Sequence, residues 1–208
     1  MKVLVTGGAG FIGSNLVQTL VQQPDIDEVV VIDDLSFGNR SNLEGFDIRF
    51  VEGSILDEQL LADVADGVSA IVHLAARSSV PRSIAEPIAT HEVNATGTTR
   101  VLEAARQQDG AHVIVASSSS VYGPTKTLPK HELLPPMPIS PYAATKLATE
   151  AYALAWSRSY GFPTLALRFF NVFGPLQPPA HTYAAVVPAF LTAAIQNQPL
   201  PVHGDGTQ

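Results

Sequence analysis

The chain has no cysteine among its 208 residues. Without thiols it has neither a disulfide framework nor a thiolate metal site, and this composition is compatible with a cytoplasmic setting. Long apolar runs are missing as well, since no stretch approaches the roughly 20 residues that a bilayer span requires. The first residues already form a strand pattern, so we expect a soluble protein without a signal peptide.

Positive charge is also scarce. The 12 lysines and arginines stand against 19 aspartates and glutamates, which gives a formal net charge of −7. This balance argues against a nucleic-acid surface, so an anionic ligand must be held by local backbone dipoles and a few placed cations. The six histidines show no metal-ligand spacing, so we expect no metal site, and we interpret His73 at a strand end as a buried structural group.

The first segment, MKVLVTGGAGFIG, is a short apolar strand that runs into a glycine turn and then into a helix predicted over 11–21. Gly7, Gly10 and Gly13 recur every three residues, and Gly8, Gly10 and Gly13 have the spacing of a dinucleotide-binding turn. Glycine permits backbone angles closed to other residues and lets a pyrophosphate approach the main chain. The helix would direct free N–H groups and its positive dipole end at that phosphate.

A carboxylate follows the second predicted strand. Asp33 lies twenty residues past Gly13, where it would accept hydrogen bonds from the adenosine ribose hydroxyls. It would repel a 2′-phosphate, which favours NAD over NADP, and Arg40 is the only nearby cation that favours the opposite. In the alternative interpretation, Asp33 and Asp34 simply begin a solvated loop.

Strand and helix patterns alternate along the chain, which predicts an α/β protein with a Rossmann-like doubly wound parallel sheet and helices on both faces. The predicted elements after the first helix are, in order, 28–32, 48–51, 57–64, 70–74, 91–107, 111–116, 141–160 and 164–168. Ligands of such sheets lie beyond the carboxyl ends of the strands. We therefore assign residues 1–170 to an NAD-binding domain.

Two proline-rich segments, 122–141 and the chain from Gly174 onward, interrupt this alternation and are interpreted as functional loops. The chain stops at GDGTQ, a turn pattern with which a polypeptide seldom finishes. We therefore expect a truncated chain, in which residues 171–208 are the beginning of a substrate-binding region.

The strongest catalytic signal is SPYAATK, residues 140–146. Ser140 is a plausible N-cap and Pro141 a plausible first helical residue, so Tyr142 and Lys146 share one helix face. The helix dipole, the Lys146 ammonium and an oxidised nicotinamide ring would each favour the Tyr142 phenolate. We expect Tyr142 to act as a base near neutral pH, whereas the alternative is a surface tyrosine and lysine on an amphipathic helix.

Ser118 is the predicted third catalytic member. It lies where the fifth strand ends, and its hydroxyl could bond a substrate oxygen and the Tyr142 phenol together. The choice among Ser118 and its neighbours Ser117, Ser119 and Ser120 does not follow from chemistry alone. A serine cluster can also be an ordinary polar loop or helix cap.

Six segments, in this order, resemble the extended short-chain dehydrogenase/reductase family: MKVLVTGGAGFIGSNL, VIDDLSFGNRSNL, VHLAARSSVPRS, ASSSSVYG, SPYAATK and LRFFNVFGP. The resemblance runs through the whole chain and is closest to the NAD-dependent nucleotide-sugar epimerase/dehydratase group. HLAARSSVPRS, and LRFFNVFGP with QPPAHTYAAVVP, are most similar to UDP-glucose and UDP-N-acetylglucosamine 4-epimerases.

The resemblance implies specific contacts with NAD and a nucleotide sugar. The implied cofactor-binding residues are Gly7, Gly10, Phe11, Ile12 and Gly13 around the pyrophosphate, Asp33 and Asp34 at the ribose side, Ser54 and Ile55 near adenine, Leu74, Ala75 and Ala76 under the cofactor, and Asn94, Tyr142 and Lys146. The implied substrate-binding residues are Ser78, Ser79, Ser118, Ser119, Tyr142 and Asn171. Two positions depart from the family pattern, because many relatives have aspartate at Ser54 and some have lysine at Ser78.

The reaction that the resemblance implies is 4-epimerisation of a UDP-hexose or UDP-N-acetylhexosamine through a transient 4-keto sugar. The related 4,6-dehydratases carry a Thr-Asp-Glu triplet where this chain has Ser118, Ser119 and Ser120. Without those acidic residues, water elimination would lack its proton donor and acceptor. A decarboxylase or a net dehydrogenase or reductase of the same fold is another alternative. A non-catalytic NAD-binding regulatory protein is an alternative of a different class, but it would not need Ser118, Tyr142 and Lys146 together.

Two predicted helices, around residues 91–107 and 142–160, carry Ala, Leu and Val faces. In the family that the chain resembles, such helices pair across a two-fold axis, which implies a homodimer. Core packing explains the same apolar stripes equally well.

Overall fold

A six-stranded parallel sheet forms the centre of the protein in our computed structural model, which describes residues 1–177 and 186–200. The strands are β1 (Lys2–Thr6), β2 (Glu28–Asp33), β3 (Arg49–Glu52), β4 (Ala70–His73), β5 (His112–Ser118) and β6 (Thr164–Phe169). Their order across the sheet is β3-β2-β1-β4-β5-β6, so strands are added on one side of β1 up to β3 and on its other side from β4 onward. This is the order of a Rossmann sheet, and the predicted fold class is confirmed.

Helices cover the sheet between the strands. They are α1 (Phe11–Leu20), α2 (Glu58–Ala65), α3 (Val80–Ala85), α4 (Pro87–His91), α5 (Gly97–Arg106), α6 (Pro141–Tyr160) and α7 (Val186–Ile195). The predicted element bounds agree with the observed ones to within one or two residues for the six strands, α1, α2 and α6. The agreement follows from strong periodic patterns and from local stop signals such as Gly161, which ends α6 in a left-handed conformation.

The central strands β1 and β2 are buried on both faces, as their continuous apolar runs predicted, whereas the edge strands β3 and β6 are partly exposed. Alternate side chains of β1 and β2 divide between two hydrophobic clusters. Leu4 and Val30 pack on one side of the sheet with α2 and α5, whereas Val3 and Val31 pack on the other side with α1. Because helices cover both sides, only the strand ends are left to present polar groups to a ligand.

Two parts of the fold differ from the prediction. The single helix predicted over 91–107 is interrupted by a π turn at Glu92–Thr96, and two short helices, α3 and α4, precede it where no element was predicted. Both begin with a proline at the first or second helical position, which is compatible with a helix start although it breaks a helix interior. The proline-rich stretch after residue 174 was interpreted as a loop, but it contains α7.

The chain divides into two compact units, Met1–Phe170 and Asn171–Gln208. The assignment of NAD binding to the first and substrate binding to the second stays a prediction. Within the described ranges, no helix combines the length and the apolarity needed to cross a membrane. The predicted terminal turn at GDGTQ lies outside the described residues.

Candidate active site

The glycine turn between β1 and α1 is folded tightly against the loop after β4. Gly7 has a φ of +72°, and a Cβ atom there would lie 2.6 Å from the backbone nitrogen of Ala75. A Cβ atom on Gly13 would lie 2.2 Å from the Gly7 carbonyl oxygen. Glycine is therefore required for conformation and space at position 7, and for space at position 13.

The N-terminus of α1 is open to an anion. Gly10 is its N-cap and, as a glycine, has no side chain with which to cap the first turn. The first-turn N–H groups, which begin at Phe11 and Ile12, therefore retain hydrogen-bonding capacity. Together with the dipole of the helix, these donors fit a pyrophosphate.

Asp33 braces the glycine turn from the end of β2. Its Oδ2 accepts a hydrogen bond from the Ala9 backbone N–H at 2.9 Å, and its Oδ1 accepts one from Leu35 at 2.9 Å. Burial raises the pKa of this carboxyl, while the backbone hydrogen bonds from Leu35 and Ala9 act in the opposite direction. The carboxylate thus has a structural role that the sequence did not reveal, in addition to its predicted contact with ribose.

The other residues predicted on the adenosine side are less directly engaged. Asp34 is exposed and accepts hydrogen bonds from Ser36, which closes a local turn. Arg40 stacks on the ring of Phe50, with its guanidinium carbon 4.5 Å from the centroid. Ser54 accepts a hydrogen bond from the Leu56 N–H at 3.2 Å, and the side chain of Ile55 lies in the hydrophobic core.

The loop after β4, which carries Leu74, Ala75 and Ala76, is held from two sides. The Leu74 N–H donates to the Thr6 carbonyl at 3.1 Å, and the Ala75 N–H donates to the Thr6 hydroxyl at 3.2 Å. From the other side, Asn94 in the π turn accepts from the Arg77 N–H at 2.7 Å and donates to the Arg77 carbonyl at 3.2 Å. A π turn is a common feature of functional sites, and this one places the amide of Asn94 against the predicted cofactor floor.

Ser78 and Ser79 follow in the same loop. Ser78 is exposed, whereas the Ser79 hydroxyl caps α3 by accepting from the Arg82 N–H at 3.4 Å. Ser79 has a φ of +101°, a conformation that costs of order 1–3 kcal/mol in a residue other than glycine. Strain of this kind is typical of ligand-binding segments.

A buried polar chain runs under the site from β1 to α6. His73 contacts the Thr6 hydroxyl through Nδ1 at 2.7 Å and the Thr98 hydroxyl through Nε2 at 3.1 Å. Thr98 in turn contacts Thr149 of α6 at 3.2 Å. Burial first, and the charge of Lys146 second, lower the pKa of His73 to about 3, so the ring is neutral.

Replacing His73 with glutamine is expected to make the protein less sensitive to acid. The native ring stays neutral down to about pH 3, whereas in the unfolded chain it is protonated below about 6.5. The unfolded state therefore binds more protons between these values, and the wild type loses stability as the pH falls through them, by about 3 kcal/mol at about pH 4.5. His73→Gln should lose less free energy of unfolding in urea titrations between neutral pH and that pH.

The exposed His112 on β5 offers a matched control, since His112→Gln changes the residue type without touching the buried chain. Equal acid sensitivity in His73→Gln and the wild type would contradict the neutral buried ring.

Helix α6 carries the predicted base and its lysine. The Ser140 hydroxyl caps it by accepting from the Ala143 N–H at 3.1 Å, and Pro141 occupies the first turn. The backbone N–H of Tyr142 donates to the Ser83 hydroxyl at 3.0 Å, which ties the start of α6 to α3. Lys146 lies one turn further along, with its Nζ 6.0 Å from the centroid of the Tyr142 ring.

Lys146 is buried and held against β5. Its Nζ donates to the Ala116 carbonyl oxygen at 2.8 Å, and only 6% of the residue is exposed. Burial lowers the pKa of its ammonium group to about 8. The lysine is therefore a pre-positioned donor near the start of α6 and the carboxyl end of β5. The glycine turn follows the carboxyl end of β1, at the same end of the parallel sheet.

The neighbouring serines 117–120 have different hydrogen-bond partners in the structure. Ser118 accepts hydrogen bonds from the Ser120 N–H at 3.1 Å and from the Ser120 hydroxyl at 2.9 Å, so its own proton is left to donate. Ser118 also interacts with the Tyr142 side chain. Ser117 instead donates to Glu150 behind the site, and Ser119 begins the 3-10 turn Ser119–Tyr122.

The expected phenolate at Tyr142 is not favoured by the protein's own groups. Burial raises the pKa of Tyr142, and the hydrogen bond with Ser118 lowers it by less than burial raises it. Spacing shows which residues neighbour Tyr142 but not how much water the fold removes, and the expected base, which includes the effect of an oxidised nicotinamide ring, stays a prediction. Removal of water disfavours the charged form of a phenol.

Several residues near the site were not predicted. Ser83, Glu150 and Arg168 hold α6 in place, and Thr98 and Thr149 belong to the buried chain under it. Only Glu150 had a sequence signal, since it lies four residues after Lys146 and eight after Tyr142 on one helix face. Asn171 is exposed in the second unit, and its assignment to the substrate stays a prediction.

The strand order and the glycine turn at the carboxyl end of β1 define a Rossmann-type nucleotide-binding protein. The model of the NAD dependent epimerase/dehydratase family matches residues 3–208, and the chain belongs to that family. This confirms the predicted family, and the family's NAD dependence agrees with the cofactor predicted from Asp33.

Curated relatives and solved structures that match the chain include both 4-epimerases and 4,6-dehydratases. The chain is 40% identical over 214 residues to a low-salt glycan biosynthesis protein, Agl12, of Haloferax volcanii, and covers 67% of it. It is 39% identical over 213 residues to a UDP-glucose 4-epimerase of Mycolicibacterium smegmatis, of which it also covers 67%. Each alignment includes 100% of this chain.

Among solved structures, a UDP-N-acetylglucosamine 4-epimerase from Methanobrevibacter ruminantium in complex with UDP-N-acetylmuramic acid superposes with a TM-score of 0.94 at 38% identity, over 100% of this chain and 66% of that one. DesIV, a dTDP-glucose 4,6-dehydratase from Streptomyces venezuelae with NAD bound, superposes with a TM-score of 0.88 at 40% identity, over 99% of this chain and 66% of that one. The chain thus spans about two thirds of the length of these relatives.

Proposed function

We propose that this chain supplies the cofactor-binding and catalytic part of an NAD-dependent 4-epimerase of UDP-glucose or UDP-N-acetylglucosamine. The observation that carries the proposal is that Ser118, Tyr142 and Lys146 come together at the carboxyl end of the strands, where the glycine turn also lies. A protein that only binds a dinucleotide needs the turn, but it does not need an interacting serine and tyrosine beside it.

The residues present fit NAD. The open N-terminus of α1 would hold the pyrophosphate, and Gly7 and Gly13 let the turn fold tightly beside it, since a Cβ at either position would meet the protein backbone. Asp33 would accept the ribose hydroxyls, and Lys146 would donate to the nicotinamide ribose. When bound, NAD supplies the acceptor for a hydride from the sugar and the donor that returns it.

Tyr142 would remove the proton of the sugar 4-hydroxyl through its phenolic oxygen and return it after the keto sugar has turned over. Ser118, whose proton is not used in its bonds with Ser120, would bond the same sugar oxygen when the substrate is bound and stabilise the charge that develops there. Burial raises the pKa of Tyr142, so a positive charge near the phenol, such as an oxidised nicotinamide ring, is needed to favour its ionised form.

Some relatives are dTDP-glucose 4,6-dehydratases, which favours that reaction as an alternative. It requires an acid and a base beyond the tyrosine, however, and the turn after β5 carries only the serines 118–120. The nearest buried carboxylate, Glu150, is occupied by Arg168. Epimerisation, which needs one base and one hydride acceptor, is therefore the reaction that this site supports best.

The test is an assay of the complete protein with UDP-glucose, UDP-N-acetylglucosamine and dTDP-glucose as separate substrates, with products read by NMR. Inversion at carbon 4 without release of NADH is the expected result. A 4-keto-6-deoxy product would replace this proposal by the dehydratase, and steady NADH release would replace it by a net dehydrogenase.

We further propose that the protein is a homodimer that pairs through α6. Tyr152 and Leu154 of this helix are exposed apolar side chains, which supports the pairing, and sedimentation velocity of the protein tests it. A cytoplasmic setting stays a prediction.

A further inference from the structure

Three consecutive residues at the end of β5 meet three successive turns of α6. Ala116 accepts a hydrogen bond from Lys146, and Ser118 interacts with the side chain of Tyr142. Ser117, between them, donates to the carboxylate of Glu150. The spacing of Tyr142, Lys146 and Glu150 is four residues each time, so all three lie on one face of the helix.

Glu150 connects this face to the neighbouring strand. Its two oxygens accept from Nε and Nη2 of Arg168, each at 2.8 Å, which is a bidentate ion pair. Arg168 lies directly beside Ser117 in the parallel pairing of β5 and β6. The Arg168 guanidinium also stacks on the ring of Tyr122, 4.7 Å from its centroid, so one charged pair joins β5, β6, α6 and the 3-10 turn.

Burial of the Glu150–Arg168 ion pair carries a large desolvation cost. Glu150 is only 7% exposed, and removing two charges from water costs about as much as their attraction returns. Apolar side chains of similar volume would therefore give the fold comparable stability. What they cannot supply is direction, because a bidentate pair has a single favourable geometry whereas apolar contacts tolerate sliding.

Position along the helix is critical for the proposed chemistry. A shift of α6 by one residue moves a side chain by about 1.5 Å along the axis and turns it by about 100°. Such a shift would separate Tyr142 from Ser118, although the helix would still cover β5. A misplacement of about 1 Å in a catalytic group can cost about a hundredfold in rate.

We propose that Glu150, paired with Arg168 and Ser117, is a positioning residue that holds α6 against β5 so that Tyr142 meets Ser118. Its kinetic readout rests on the proposed epimerase function. Glu150 takes no proton and touches neither sugar nor cofactor in this role.

The experiment compares the complete wild-type protein with Glu150→Gln and with the apolar triple variant Ser117→Ala, Glu150→Met, Arg168→Met. We expect kcat to fall by about tenfold to a hundredfold in the triple variant, with KM for the nucleotide sugar and the content of bound NAD unchanged. Glu150→Gln keeps some of the hydrogen bonds and should fall between the triple variant and the wild type. The melting temperature of the triple variant should stay near that of the wild type, because no charge is left unpaired.

A second measurement does not depend on turnover. The ionisation of Tyr142 is followed by phenolate absorbance, as the difference between each protein and the same protein with Tyr142→Phe. Since loss of the Ser118 contact disfavours the phenolate, the titration should move to higher pH in the triple variant. Glu28→Gln, which breaks the ion pair with Lys2 between β1 and β2, is the control and should alter neither readout.

A triple variant with wild-type kcat and an unchanged Tyr142 titration would overturn the positioning role, whatever its melting temperature. If the wild type epimerises neither sugar, the proposed function fails, and the titration alone then decides the inference. An upward shift supports positioning in that case, and an unchanged curve refutes it.

Discussion

Tyr142→Phe is expected to reduce epimerisation by about 10²–10⁴-fold, because the change removes the group that we propose exchanges a proton with the sugar hydroxyl. The ring and its packing are kept, so the helix cap at Ser140 and the contact of the Tyr142 backbone with Ser83 survive. NAD binding should persist, since the glycine turn and Asp33 do not depend on the phenol. The measurements are kcat with UDP-glucose and the NAD content of the purified protein.

Tyr152→Phe is the matched control for this result. Tyr152 lies on the same helix, but it is 38% exposed and packs edge-to-face on Trp156. It should retain full activity. A Tyr142→Phe protein that still inverts carbon 4 at the wild-type rate would remove Tyr142 from the mechanism and would favour a binding role for the protein.

Lys146→Met should abolish most of the activity and yet change stability in the favourable direction near neutral pH. Burial lowers the pKa of this ammonium to about 8, from 10.5 in an unfolded chain. The difference corresponds to a cost of about 3 kcal/mol for keeping the charge in the fold below that pH. Methionine has similar length and no charge, so it removes the cost together with the donor that we propose for the nicotinamide ribose.

The stability difference between Lys146→Met and the wild type is expected to change with pH. Between about pH 8 and 10.5 the unfolded chain holds a proton that the folded protein has released, so wild-type stability gains with rising pH. The stability of Lys146→Met relative to the wild type should therefore fall by about 2 kcal/mol from pH 7 to about pH 9.5. Urea titrations at the two pH values measure this difference.

The lost hydrogen bond to the Ala116 carbonyl offsets part of the gain, but it does not depend on pH in the same way. Lys130→Met, in the loop before α6, provides a control for the loss of one positive charge. A stability difference that stays constant over this pH range would show that Lys146 is not charged at a cost in the folded protein.

Local patterns carried most of the prediction of the sheet. The strands are continuous apolar runs that need both faces covered, and the stops between them are glycines, prolines and capping residues that act within a few residues. Where a segment lacks such a pattern, as in Val80–His91, the prediction missed two helices. Their prolines indicate a break when read alone, and only the surrounding fold shows that each stands at a helix start.

The candidate site also has a part that local sequence patterns predict and a part that they do not. The spacing of Tyr142 and Lys146, and the position of Asp33 after β2, follow from helix and strand periodicity. The choice of Ser118 among four serines does not, because it depends on which hydroxyl faces Tyr142 and which faces Glu150. The buried histidine chain and the Glu150–Arg168 pair join residues up to 67 positions apart, for which the chain has no local signal.

By itself, the sequence determined the family, the parallel sheet, the glycine turn and the likeness to NAD-dependent epimerases, since these depend on residue types at short spacings. The tertiary structure decided how strongly water is excluded from Tyr142, Lys146 and His73, and hence the direction in which each pKa moves. It also decided which polar groups find partners. Both outcomes depend on the packing of distant segments around a group, because desolvation and hydrogen bonding are set by three-dimensional neighbours rather than by neighbours in the chain.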